Sequence, residues 1–433
     1  MVTLIKNGYF IDPSCKLEGH YDILIRDQVV EKVGQNLSCE GARVIDASGK
    51  YIMPGFIDLH VHLREPGFEY KETVKTGTMA AASGGYTTIC PMPNTKPAID
   101  SVEMVDWLNE KIKEDGVVNV CQIGAVTKGQ LGKELVEIEE MVQHGVVAIS
   151  EDGKSVMATD LYMEGMKQAK KAGIPVFAHC EDRGLIRRGV LNAGAKAEEL
   201  GMPGITNAVE DVIVARDILM AKEAGVALHL CHCSTKDSVT LVQMAKDMGL
   251  PVTAEVCPHH FTLCDEDIPC DDANYKMNPP LRSREDVEAL KEGLRSGIME
   301  VIATDHAPHG SEEKQESIAT APFGIVGLET ALPLTYTELV KPGILTLMQM
   351  AEKMSTNPAK VIQLDRGSLQ VGKVADLVIV DLENEYQINV NEFASKGKNS
   401  PFHGRKVYGK VELTMVGGEI VFQDKRFKLR VYR

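Results

Sequence analysis

Between residues 57 and 339 the sequence repeats one pattern eight times: a short apolar run suited to a buried strand, then a longer stretch with helical periodicity. The apolar runs fall near 57–61, 86–90, 118–124, 146–149, 175–178, 226–231, 251–256 and 299–304. The helical stretches follow at 69–83, 102–114, 134–143, 161–172, 209–223, 236–248, 284–295 and 328–339. The seventh opens on Ser283-Arg284-Glu285-Asp286, a capping-box pattern before an apolar-periodic run. Strand and helix alternating in this way require a parallel sheet covered by helices, and eight units match a (β/α)8 TIM-type barrel of the α/β class. A doubly wound open sheet is the rival. It would ordinarily carry a glycine-rich phosphate turn after its first strand, and neither G-x-G-x-x-G nor G-x-x-x-x-G-K-[ST] occurs there.

The two ends of the chain have a different texture. Short strand runs at 3–6, 21–25 and 42–46, and again at 376–381, 411–416 and 418–422, are separated by Gly, Asp, Asn and Pro. Neither end can bury a sheet face alone, so residues 1–50 and 367–433 are expected to pair into one small accessory β-domain, sandwich-like, with 51–366 forming the barrel. The formal charge of −15 argues against nucleic acid or an anionic membrane as a partner. No charged-then-apolar N-terminal stretch and no long apolar span is present, which predicts a cytoplasmic protein. Its ten cysteines then read as reduced thiols rather than disulfides. Cys231 and Cys233 flank His232, but a second cysteine pair at zinc-finger spacing is missing.

A barrel concentrates chemistry at the C-terminal ends of its strands. Here those ends carry metal-ligand side chains one after another. The first ends in Asp58-Leu59-His60-Val61-His62, the second leads to Pro91-Met92-Pro93-Asn94, and the fourth ends in Ser150-Glu151-Asp152. The fifth ends at His179, the sixth at His232 and the eighth at Asp305. His60 and His62 are two residues apart on a run whose neighbours Phe56, Ile57 and Leu59 are apolar, so both imidazoles face one side of a buried segment. Four histidines and two aspartates suit two zinc ions, with manganese or cobalt as substitutes. Two such ions about 3.5–4 Å apart activate a shared water and polarise a carbonyl, while Asp305 is suited to move the proton to a leaving nitrogen. The expected reaction class is hydrolysis of an amide-like bond.

These motifs, with Ala303-Thr304-Asp305-His306-Ala307-Pro308-His309, resemble the amidohydrolase superfamily. Within it, His62-Leu63-Arg64-Glu65-Pro66-Gly67, Met92-Pro93-Asn94-Thr95, Cys257-Pro258-His259-His260, Asn278-Pro279-Pro280-Leu281-Arg282 and Ser400-Pro401-Phe402-His403-Gly404 together resemble the bacterial class I dihydroorotase family. The resemblance runs from the first strands to the C-terminus. It implies that His60, His62 and Asp305 hold one zinc and His179 and His232 a second, with Asp152 as the bridge. Many relatives bridge with a carboxylated lysine, for which Lys154 is the candidate here. The implied reaction is reversible hydrolysis of dihydroorotate to N-carbamoyl-L-aspartate in pyrimidine biosynthesis, with Asp305 as the catalytic acid and base. Arg64, two residues beyond His62, is expected on the same face, where a guanidinium can pair with the ring carboxylate. The family adds His62, Asn94, Asn278 and His309 as substrate contacts, and the backbone at Phe323-Gly324 as a partner for the ring amide. His259 and His260 receive no role. Residues 306–325 are either a mobile cover over the barrel mouth or an ordinary solvated loop. A homodimer and an association with aspartate transcarbamoylase are further family expectations. The alternatives are a dihydropyrimidinase, hydantoinase or allantoinase, whose uncharged ring substrates call for no arginine clamp, and a non-catalytic barrel scaffold, which would have lost ligands.

Overall fold

The computed structural model describes residues 2–425 and 427, so residue 1 and the last residues of the expected C-terminal segment lie outside the described residues. Eight parallel strand positions follow one another around the barrel: Phe56–Val61, Tyr86–Pro91, a third in two pieces, Ala148–Ser150, Val176–Ala178, Leu228–Leu230, Val252–Val256 and Val301–Ile302. The third is divided because its first piece, Asn119–Val120, pairs with the second strand and its second piece, Ile123–Ala125, with the fourth. Every residue of Phe56–Val61 and Tyr86–Pro91 is buried, as expected for strands with side chains filling the barrel on one face and helices packed on the other. Ile57, Leu59, Cys90, Ile123, Phe177, Val301 and Ala303 belong to one interior cluster.

Closure of the barrel rests on few backbone bonds. The eighth strand is two residues long, and its junction with the first is a bridge between Val61 and His306, with the His62 N–H donating to the His306 carbonyl at 2.8 Å. Asp58 completes the seam with its side chain. Its Oδ1 accepts from the Thr304 N–H at 3.1 Å and from the His60 N–H at 3.0 Å, in place of a ladder bond.

The helices begin where capping side chains permit. Thr73 caps Val74–Ser83, which leaves the preceding residues of the expected 69–83 stretch free for the mouth of the barrel. Ser283 and Asp286 cap Arg284–Ser296 reciprocally. Of the stretch expected at 134–143 only Ile138–Gln143 is helical, because Glu134 and Leu135 turn back to pair with Lys128 and Thr127. The last stretch is a short helix, Ala331–Thr335, passing into a π-turn at Tyr336–Val340.

The chain ends form two sheets. Val29–Gly34, Asp22–Arg26, Val2–Lys6 and Arg43–Asp46 make one, in that order. The other runs Glu419–Gln423, Lys410–Val416, Leu377–Asp381, Tyr51–Pro54, Tyr9–Asp12 and Leu17–His20. Tyr51–Pro54 therefore lies in a terminal sheet, although the sequence reading begins the barrel at 51. The strand alternation explains it: Ile52 packs into the core of the terminal sheets and Met53 into the core that backs the barrel.

Candidate metal centre and substrate site

The strand ends bring His60, His62, Asp152, His179, His232 and Asp305 into one buried cluster. Asp152 is at its middle. Its Oδ1 has His60 Nε2 at 3.2 Å, His179 Nδ1 at 3.4 Å and His232 Nε2 at 3.8 Å, yet makes no hydrogen bond. Burial works against a charged carboxylate here, and the His60, His179 and His232 imidazoles overcome it, holding Asp152 well below the usual range. Asp305 lies 3.0 Å from His62 Nε2 and 3.6 Å from His60 Nε2. Burial opposes its charge as well, and the same two histidines hold its carboxyl down.

Such a cluster fits metal ions. Three imidazole nitrogens converge on one unpartnered carboxylate oxygen, and His179 Nδ1 and His232 Nε2 approach within 2.9 Å. Nitrogen and oxygen donors gathered in a buried site with an unmet carboxylate oxygen are the donor set of a divalent ion. His60, His62 and Asp305 form one group with ligand atoms within 4.8 Å of one another, and His60, Asp152 and His232 form another. Lys154 is directed elsewhere, donating to the Gln130 carbonyl at 3.0 Å. The Glu151 carboxylate accepts from the Val126 and Thr127 amides and turns away from Asp152.

Two of the ligands sit on unusual backbone. His232 has φ of 35° and Asp305 of 48°, left-handed values uncommon outside glycine. His232 lies two and Asp305 three residues past the end of its strand, in a turn that brings the side chain to the cluster. Arg64 is a third such residue, with φ of 62°. The first strand ends at Val61, so a local turn and not a period of two brings Arg64 to the site. Its Nε donates to the Pro308 carbonyl at 3.2 Å and one terminal nitrogen lies 3.4 Å from His309 Nε2. Burial lowers the affinity of Arg64 for its proton, and Asp305 and Asp152 offset the effect.

The remaining sequence candidates surround this cluster. Asn94 Oδ1 accepts from His62 Nδ1 at 2.9 Å, and its Nδ2 donates to Asp152 Oδ2 at 3.0 Å. His309 Nε2 is 2.8 Å from the Phe323 carbonyl. Burial and the nearby Arg64, Lys71 and Lys314 push the His309 imidazole down to about 2, so it is neutral. Gly324 has φ of 126°, and a Cβ there would lie 2.6 Å from the Ala307 methyl and 3.2 Å from His309 Nε2. Asn278 stands apart, donating to Glu181, which lies 3.8 Å from the far nitrogen of His179.

A family profile described as Dihydro-orotase-like matches residues 49–238. Curated relatives named dihydroorotase come from Halalkalibacterium halodurans and Acetivibrio thermocellus. They are 49% and 47% identical, each over 98% of this chain and 99% of the relative. The chain belongs to the dihydroorotase family. Dihydroorotase relatives at this identity also decide against the cyclic-amide rivals, whose likeness is in the fold. An L-hydantoinase from Arthrobacter aurescens superposes with a TM-score of 0.88 at 29% identity, covering 99% of this chain and 98% of the other. A dihydropyrimidinase from Brevibacillus agri does so at 0.87 and 26%, covering 99% and 96%.

In this dihydroorotase the structure adds residues that sequence reasoning passed over. Glu255, fully buried in the seventh strand, lies 2.9 Å from His60 Nδ1 through one oxygen and 2.9 Å from His229 Nε2 through the other, and accepts the His232 N–H at 3.1 Å. Burial opposes its charge, and His229 and His60 hold its carboxyl at about 2. Ionised, it accepts only, so His60 directs its Nδ1 proton at Glu255 and turns Nε2 toward the cluster. A glutamate inside the apolar run Val252–Val256 was the available signal. Glu72, which lies 3.3 Å from His306 Nε2 and accepts from Ser395, joins segments too far apart in sequence to have been seen.

Proposed function

We propose that two zinc ions are held at this mouth, one by His60, His62 and Asp305 and one by His179 and His232, with Asp152 between them. The observation that carries this reading is the unpartnered Asp152 Oδ1 with three imidazole nitrogens around it. The protein is a cyclic amide hydrolase of the dihydroorotase type and acts on a small molecule. Divalent ions supply Lewis acidity, which lets a water lose its proton near neutral pH and draws charge onto a carbonyl oxygen.

The residues of the chain account for the rest. Arg64 meets the carboxylate of dihydroorotate, and Asn94, Asn278, His62 and a neutral His309 offer hydrogen bonds to the carboxylate and ring. The backbone at Phe323 and Gly324 faces the ring amide. Asp305, 3.0 Å from His62 Nε2, takes the proton of the attacking water and delivers it to the departing ring nitrogen. The C–N bond breaks, the carbonyl becomes a carboxylate, and N-carbamoyl-L-aspartate leaves; ring closure is the same path reversed.

The wider reading assigns catalysis to the barrel, expected at 51–366 but without Tyr51–Pro54, and an accessory role to 1–50 with 367–433 and that strand. It places the enzyme in the cytoplasm as a homodimer that associates with aspartate transcarbamoylase. No described helix is long and apolar enough to cross a membrane. Ring closure of N-carbamoyl-L-aspartate by purified protein, assayed after chelation and after reloading with zinc, tests the function. Turnover that chelation abolishes and zinc restores is expected. Turnover of uncharged hydantoins in place of the carboxylate-bearing substrate would overturn the role of Arg64.

A further inference from the structure

Three side chains at the end of the seventh strand take no part in the site above. Cys257 follows Val252–Val256 directly, and His259 and His260 lie in the short helix Pro258–Thr262. All three are buried, and each offers a ligand atom such that the three atoms lie within 4.8 Å of one another. His260 Nε2 is 2.9 Å from the Pro279 carbonyl, so that nitrogen carries the proton and Nδ1 is a bare acceptor. Among the described residues neither His260 Nδ1 nor His259 Nε2 has a hydrogen-bond partner. The two rings are 4.3 Å apart between centroids.

Buried polar atoms without partners are destabilising, and two on adjacent residues beside a thiol call for a cause. A backbone carbonyl that holds the far N–H of a histidine is also how proteins orient imidazole toward a metal. We propose that Cys257, His259 and His260 form a separate site for one thiophilic divalent ion of the zinc class. One sulfur and two imidazole donors suit zinc or cadmium and exclude magnesium and calcium, which take oxygen. On binding, the Cys257 S–H bond gives way to a sulfur–metal bond, the proton leaves to solvent, and a water completes a tetrahedral ion. None of the three belongs to the cluster that faces the proposed substrate, so the ion is structural. Through His260 it ties the end of the seventh strand to the segment carrying Asn278 and Pro279. The proposal stands on this cluster alone and is independent of the two-zinc reading.

The test is cadmium titration of chelator-stripped full-length protein, read by thiolate-to-cadmium charge-transfer absorption and by bound metal. A variant lacking the exposed thiols Cys15 and Cys270 should keep the band. Cys257→Ser should lose it and bind one equivalent fewer than the parent protein. Cadmium-113 NMR of the unmutated protein gives a readout that needs no variant: one resonance shifted downfield into the single-thiolate range is expected. Absence of that resonance overturns the site. So does an absorption band or metal content that Cys257→Ser leaves unchanged.

Discussion

The site is built from residues whose own backbone resists the regular pattern. His232, Asp305 and Arg64 all adopt left-handed φ, at a cost of order 1–3 kcal/mol each that the surrounding packing must offset. Each of the three reaches the site through a local turn past the end of its strand. The clustered side chains were legible because histidine and aspartate at the ends of apolar runs have few other reasons to recur. The left-handed turns were not, since nothing in the local sequence marks them as glycine would. Glu255 acts at one remove, as a positioning residue that keeps the His60 proton on Nδ1. Glu255→Gln should weaken metal binding ~10–100-fold, measured by competition with a chelator of known affinity. Glu255→Ala should weaken it further, because the amide of glutamine still offers an oxygen to His60. Equal affinities in all three proteins would remove Glu255 from this role.

At the scale of elements, the strands and helices of the barrel were predictable to within a few residues, and the exceptions have local causes. Thr73 delays one helix, and the pairing of Leu135 with Thr127 shortens another. The terminal strands were visible as runs, but their partners were not. Leu377–Asp381 pairs with Tyr51–Pro54 across more than three hundred residues. Lys50 and Asp381 fasten that junction at 2.6 Å. Burial opposes the charge on Asp381, and Lys50 together with Asn384 and the Glu383 amide hold its carboxyl at about 2. A carboxyl depressed on folding contributes stability that is present above its unfolded value, about 3.9, and lost as pH falls through about 2. Asp381→Asn should therefore lower the melting temperature at neutral pH, by the equivalent of about 1 kcal/mol once solvent screening at Lys50 is allowed for. The gap from the parent should close between pH 4 and 2. A gap that persists at pH 2 would assign the effect to packing.

For the whole molecule, the clustered histidines and aspartates come from the first, fourth, fifth, sixth and eighth strands, so a metal bound among them, as proposed, would tie together a barrel whose seam is otherwise a bridge and the Asp58 carboxylate. Residues 306–325, for which the sequence allowed a mobile cover or an ordinary solvated loop, make several hydrogen bonds to the body of the protein. Lys314 donates to the carbonyls of Lys276, Pro322 and Gly324, and the Ile318 amide donates to Asp271. Zinc should raise the melting temperature in a concentration-dependent way, by about 2.7 kcal/mol at a hundred times its dissociation constant, as followed by calorimetry. A transition indifferent to chelation would mean that the barrel closes without metal. The sequence by itself determined the barrel, the six metal-ligand-type side chains at its strand ends and the family, because periodicity and the residue types at strand ends are local properties. Only the tertiary structure decided how the seam closes, which carboxylate holds His60, how Arg64 reaches the cluster and where Tyr51–Pro54 belongs. Those depend on contacts between residues distant in the chain, and a one-dimensional pattern does not encode distance.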